Sequence, residues 1–187
     1  VVSPESQGQI VAPEATAQAN PDSAQAQFEL GNSYVQTGQW AKALAAYQKA
    51  VELDPNYQAA YANMGVVYYQ MEQLDLAAAQ YKKALELNAN DGDVAYNLGA
   101  LYLQQALLNS NPPNPDLLSQ AIEQLEHASE LDPNLAEPYF TLGVAYQALN
   151  QKEKAIQAFE TFLARDTGQD ARASQEAQDY LKTLRNQ

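Results

Sequence analysis

A short phrase returns through this chain at a fixed step. Leu30-Gly31-Asn32-Ser33-Tyr34 comes back as Met64-Gly65-Val66-Val67-Tyr68, as Leu98-Gly99-Ala100-Leu101-Tyr102 and as Leu142-Gly143-Val144-Ala145-Tyr146. The first three copies are 34 residues apart and the last follows after 44. A second phrase trails each one: Ala43-x-x-x-Tyr47-x-x-Ala50, Ala77-x-x-x-Tyr81-x-x-Ala84, Ala121-x-x-x-Leu125-x-x-Ala128 and Ala155-x-x-x-Phe159-x-x-Phe162. A period of this length admits few folds. Each unit is one supersecondary element that cannot bury its apolar face alone, so the units must stack.

Both phrases space their apolar residues as a helix does, so each unit reads as a pair of helices. The small residue at the Gly position is expected to let one helix come close to its partner, with the Ala positions doing the same on the second helix. The large residues at the Tyr positions fill the space between. Leu53-Asp54-Pro55-Asn56 and Leu131-Asp132-Pro133-Asn134 close two of the units, since proline disfavours helix in the residue before it.

These residues resemble the tetratricopeptide repeat (TPR) family. The resemblance covers residues 24–169 as four repeats: 24–57, 58–91, 92–135 with a ten-residue insertion, and 136–169. It implies an all-α, right-handed superhelical solenoid of antiparallel helix pairs. Departures are local: the family's tryptophan position holds Gln27, Tyr61, Ala95 and Tyr139, and Phe162 stands where a small alanine is usual. Residues 170–187 read as a capping helix, of the kind that terminal repeats need. Residues 1–23, with Pro4, Pro13 and Pro21 among Ser, Gln and Ala, are expected to be a flexible linker. The chain starts at Val1, so a processed product is expected. The sequence assigns no compartment, and a membrane tether would lie upstream. In the insertion, Leu107-Leu108 and Leu117-Leu118 are expected to pack on each other around a Pro-rich turn and build a taller hairpin. The other reading of the insertion is a projection that contacts a partner.

The family resemblance also implies a non-enzymatic scaffold or adaptor that binds a peptide or protein segment in a concave groove, with assembly of a larger complex as a role of many relatives. Carried onto this sequence, the groove residues are Phe28, Asn32, Asn63, Val66, Tyr69, Tyr96, Asn97, Phe140 and Thr141. The amides of Asn32, Asn63 and Asn97 suit an extended backbone, because an amide both donates and accepts, and the aromatics supply anchoring area. The subfamily that clamps chaperone C-terminal carboxylates needs cations here; the matching positions hold Phe28, Asp93 and Asn97, so that specialisation is excluded. Two alternatives stand beside the scaffold: a self-associating module, and the regulatory piece of a longer enzyme.

Chemistry of other kinds finds little support. The net charge is −13, which disfavours binding to phosphate backbones and favours a neutral-to-basic partner. Cysteine is absent, so thiol catalysis and thiolate metal sites are excluded. His127 is the one histidine and no ligand spacing surrounds it, so neither a metal nor a cofactor is expected. No apolar run reaches membrane-spanning length. The third repeat contains six acids and neither Lys nor Arg. Glu123, Glu126 and Glu130 share a helix face and form a candidate second surface for a basic partner. The bland reading of that surface is a solvated helix face.

Overall fold

The computed structural model describes residues 4–108, 112–168 and 170–186. Among them are ten helices and no strand. The chain divides into two compact units, residues 1–89 and 90–187.

The first unit holds α1 (Pro4–Ala19), α2 (Ala24–Gln36), α3 (Trp40–Leu53), α4 (Gln58–Gln70) and α5 (Leu74–Leu87). The second holds α6 (Gly92–Leu108), α7 (Pro115–Leu131), α8 (Glu137–Ala148), α9 (Lys152–Arg165) and α10 (Ala171–Arg185). α2 pairs with α3, α4 with α5, α6 with α7 and α8 with α9. The alanines of the second phrase, from Ala43 to Ala155, have no exposed surface. Asp54 and Asp132 are extended residues that cap α3 and α7. Each carboxylate then accepts from the backbone N–H of Asn56 or Asn134, at 2.9 and 3.0 Å. The Asp-Pro-Asn phrase is therefore both a helix stop and an Asx turn.

The glycine of each pair makes a different contact from the one expected. A methyl group on Gly31 would lie 2.4 Å from Cε1 of Tyr47, and one on Gly65 or Gly143 would lie 2.5 Å from the ring of Tyr81 or Phe159. What comes nearest is a ring of the second helix. In the third pair, where Leu125 replaces the ring, the backbone carbonyl of Ala121 is among the nearest atoms, at 3.1 Å.

The expected linker is instead α1 over most of its length. Ile10 and Ala17 are buried, and the Tyr34 hydroxyl donates to Glu14 at 2.6 Å. An interior proline such as Pro13 costs about 3 kcal/mol. Burying Ile10 returns roughly 1.5–3 kcal/mol, and a charge-assisted hydrogen bond roughly as much. Composition omits this term because the apolar seat belongs to α2.

α6 and α7 are each 17 residues long, against 13 and 14 for α4 and α5, so this hairpin is about one turn taller. The four leucines of the insertion are not buried together. Leu118 is 1 % exposed, but Leu107 and Leu108 are 41 % and 68 % exposed. The helical phase turns Gln105 and Ala106 inward in the added turn, which leaves the next two residues outside.

Three outcomes follow. Gly31→Ala lowers stability by about 1–3 kcal/mol through overpacking, read as a fall in urea midpoint, whereas Leu108→Ser stays within about 0.5 kcal/mol. Ile10→Asp abolishes hydrogen-exchange protection in α1 while α4 and α5 keep theirs.

Candidate functional site

In the first unit, one hydroxyl organises two amides. Tyr47, fully buried on α3, donates through its hydroxyl to Oδ1 of Asn32 at 2.7 Å. Asn63, on α4, donates through Nδ2 to the same Oδ1 at 2.8 Å and to the Tyr47 oxygen at 3.3 Å. Among the described residues this leaves Nδ2 of Asn32 unused as a donor and Oδ1 of Asn63 unused as an acceptor. Both residues line an open hollow of about 270 Å³, with Val35, Gln36 and Val66 as neighbours. Burial pushes the Tyr47 hydroxyl up to about 12, against the pull of Asn63, which donates to its oxygen. The hydroxyl is thus neutral and a fixed donor at ordinary pH.

The other expected groove residues of this unit divide. Tyr69 is exposed, further along α4 than Val66, and does not line the hollow. Phe28 is committed to packing, with its ring 5.7 Å from that of Tyr47 and 5.0 Å from that of Tyr57.

In the second unit, Tyr96, Phe140 and Thr141 come together on a hollow of about 640 Å³ between α8, the end of α9 and the start of α10. Phe140 also packs edge-on against Phe159 and Phe162, at 5.8 and 5.3 Å. Phe162 is buried in the cluster that includes Leu181 and Leu184 of α10. Its bulk replaces the usual alanine where α10 packs. The Thr141 hydroxyl donates to the Glu137 carbonyl of its own helix at 3.1 Å. Asn97 is half-buried on α6 and does not line this hollow.

The three glutamates of α7 are all exposed but not equivalent. Glu123 and Glu130 have no such bond among the described residues, whereas Glu126 accepts a short hydrogen bond from the Tyr146 hydroxyl of α8. Burial, then that bond and the carboxylate charge, push the Tyr146 hydroxyl well above its ordinary value. Glu126 is thus committed to the α7–α8 contact. Among the described residues, no three metal-ligating side chains converge, and no helix is long and apolar enough to cross a membrane.

Tyr47 lies outside the expected groove set, because the repeat pattern gives its position a packing role alone. The available signal was its hydroxyl. Leu125 and Phe159 fill the same position without one, and a buried tyrosine needs a partner for its O–H.

Sequence models of the TPR repeat match residues 31–72 and 118–150, and tetratricopeptide repeat models match 59–91 and 136–168. The chain belongs to the tetratricopeptide repeat family. No curated protein shows a significant match to the TPR chain. Among solved structures it is similar to MamA, at 23 % identity, 88 % of this chain, 84 % of that chain and a TM-score of 0.75. It is also similar to YrrB, described as a TPR protein with an unusual peptide-binding site, at 22 % identity, 95 % and 94 % coverage and a TM-score of 0.74. MamA residues 41 to the end from Desulfovibrio magneticus RS-1 match at 17 % identity, 91 % and 100 % coverage and a TM-score of 0.70. The fold is an all-α TPR solenoid. TPR proteins bind protein or peptide partners, and this one is a protein-interaction scaffold.

Because burial raises Tyr34, Tyr47 and Tyr81 to about 12, their neutral forms favour the folded state. That contribution is whole below pH 10, the ordinary tyrosine value, and is lost as pH rises toward 12. Tyrosinate absorbance of the native protein should therefore develop in two phases, with the later phase coinciding with loss of helicity.

Proposed function

We propose that the scaffold holds an extended peptide segment on the first-helix faces of its repeats, with the Asn32–Asn63 pair as a sequence-independent handle for backbone. The observation that carries this reading is the unused donor and unused acceptor, both fixed by Tyr47 beside one open hollow. One residue of an extended segment offers the complementary pair, its own C=O and N–H pointing to the same side: the C=O accepts from Nδ2 of Asn32 and the N–H donates to Oδ1 of Asn63. Preorganisation matters, since amides already tied down lose little rotamer freedom on binding. Val35 and Val66 supply apolar walls for the side chains that flank this unit. In the second unit, Tyr96 and Phe140 offer aromatic area of the kind that anchors a side chain. The description of YrrB as having a peptide-binding site lends the reading support from a protein of the same fold.

A TPR scaffold of this kind is non-enzymatic, and its hollows are shaped to hold a partner. The test is selection of binders from a random displayed peptide library, followed by titration of the selected peptides against Asn63→Ala and the double variant with Asn32→Ala. Each lost backbone hydrogen bond costs about 0.5–1.5 kcal/mol, so affinity falls about tenfold in the double variant, which keeps its helicity but melts earlier because the Tyr47 hydroxyl loses its amide partners. Equal affinity in a folded double variant overturns the handle. A mass that grows with concentration, and is reversed by the selected peptides, identifies a second copy as the occupant.

A further inference from the structure

The hollow of the second unit carries an imbalance of charge around aromatic walls. It is about 640 Å³ in volume, and five carboxylates line it, those of Asp132, Glu137, Asp166, Asp170 and Glu176, against two guanidiniums. Both guanidiniums have partners: Arg172 pairs with Glu176 at 3.0 Å, and Arg165 lies 4.2 Å from the ring centroid of Tyr139. Asp170 is spent on α10, accepting from the backbone N–H groups of Arg172 and Ala173 at 3.1 and 2.9 Å. The Ser174 hydroxyl donates to Asp166. Glu137 is different: its carboxylate makes no hydrogen bond or ion pair among the described residues, and it stands one helical turn from Phe140 and Thr141. The hollow draws on the first turns of α8 and α10, on the last turn of α9 and on Asp132, the C-cap of α7, so the helix-end charges oppose one another. The side-chain carboxylates therefore decide the sign.

We infer that this hollow is a subsite for the cationic side chain of an arginine in the bound segment, its guanidinium against the rings of Tyr96 and Phe140 and its N–H groups donating to Glu137. The inference rests on the peptide-binding reading and adds to it the chemistry of one recognised side chain. A guanidinium suits the site better than a neutral group for two reasons. Its planar face stacks on aromatic rings, and its donors form charge-assisted bonds with a carboxylate that lacks them. The volume accommodates one long side chain with its flanking backbone.

The test uses small probes on the full chain: N-acetyl-arginine N-methylamide, its citrulline analogue (the neutral urea isostere) and the aspartate analogue, each titrated by amide chemical shifts. The arginine probe should shift Tyr96 and Thr141 saturably, about fivefold more tightly than citrulline, and lose that margin in 0.5 M salt (roughly a 4–5 Å screening length). Glu137→Gln should remove the margin without moving shifts elsewhere, and Tyr96→Leu should weaken the arginine probe more than the citrulline one. Equal binding of arginine and citrulline, tighter binding of aspartate, or no saturable shift overturns the inference. Asn32 and Asn63 lie in the other unit and are not needed by a single-residue probe. Failure of the probe alongside asparagine-dependent peptide binding therefore removes this subsite alone.

Discussion

A side chain of the second helix seated on a glycine of the first is the contact on which each repeat depends. Tyr47 sits on Gly31, Tyr81 on Gly65, Leu125 on Gly99 and Phe159 on Gly143, and all four are buried to within a few per cent. The seat needs no more than bulk, as leucine and phenylalanine demonstrate. In the first repeat the same side chain carries a hydroxyl to the far side of the packing contact, and there it fixes Asn32 and through it Asn63. One residue therefore closes the helix pair and orients the amides. The second repeat keeps the tyrosine but has Val66 where the first has Asn32, so its ring packs without a handle to hold. The hydroxyl–amide pair is local to one repeat because it requires two residues at once, the hydroxyl and the amide in register with it.

The tyrosine of the first phrase, three residues after the glycine, supports a second recurring arrangement. Tyr34 donates to Glu14 and Tyr146 donates to Glu126, each pair separated by 20 residues. Lys42 and Lys154 lie over the same two rings at 5.2 and 5.1 Å. α1 thus meets α2 as α7 meets α8, and Ile10, Glu14 and Ala17 stand in register with Ile122, Glu126 and Ser129.

Periodicity reveals the helix pairs, their turns and the buried alanines because those features follow from local spacing and turn chemistry. α1 was hidden because its stability comes from a seat on α2 rather than from its own composition, and Pro13 argued the other way. The commitment of Phe28 to ring contacts, and the division of Phe140 between ring contacts and the hollow, were hidden for a related reason. A helical register places a residue on a face but does not say whether a long side chain leans into the groove or onto the adjacent helix. Glu126 shows the same limit: its spacing with Glu123 and Glu130 is correct, yet a tyrosine on the next helix claims it. The leucines at 107 and 108 show it in reverse, since being apolar did not bring them inside once Gln105 and Ala106 held the inward phase.

The charge of the chain is accordingly less uniform in its effect than in its total. Many carboxylates are used up locally. Asp54 and Asp132 close turns, Asp170 caps α10, Asp91 accepts from the N–H of Val94 at 3.0 Å, and Glu14 and Glu126 hold tyrosines. A carboxylate fixed by backbone N–H groups or a hydroxyl keeps its charge but has fewer lone pairs to offer a partner. Recognition of a cation by direct contact must then fall to acids without such duties, which in the second unit include Glu123 and Glu130 on α7 and Glu137 on α8. Of these, Glu137 alone lines an aromatic hollow. There a cation gains ring contacts and partial exclusion of water together with the carboxylate, whereas at an exposed helix face the same ion pair is worth only about 0–1 kcal/mol. The third repeat's excess of charge is therefore mostly an exposed, long-range field, whereas the carboxylate set beside aromatic rings belongs to the repeat that follows it.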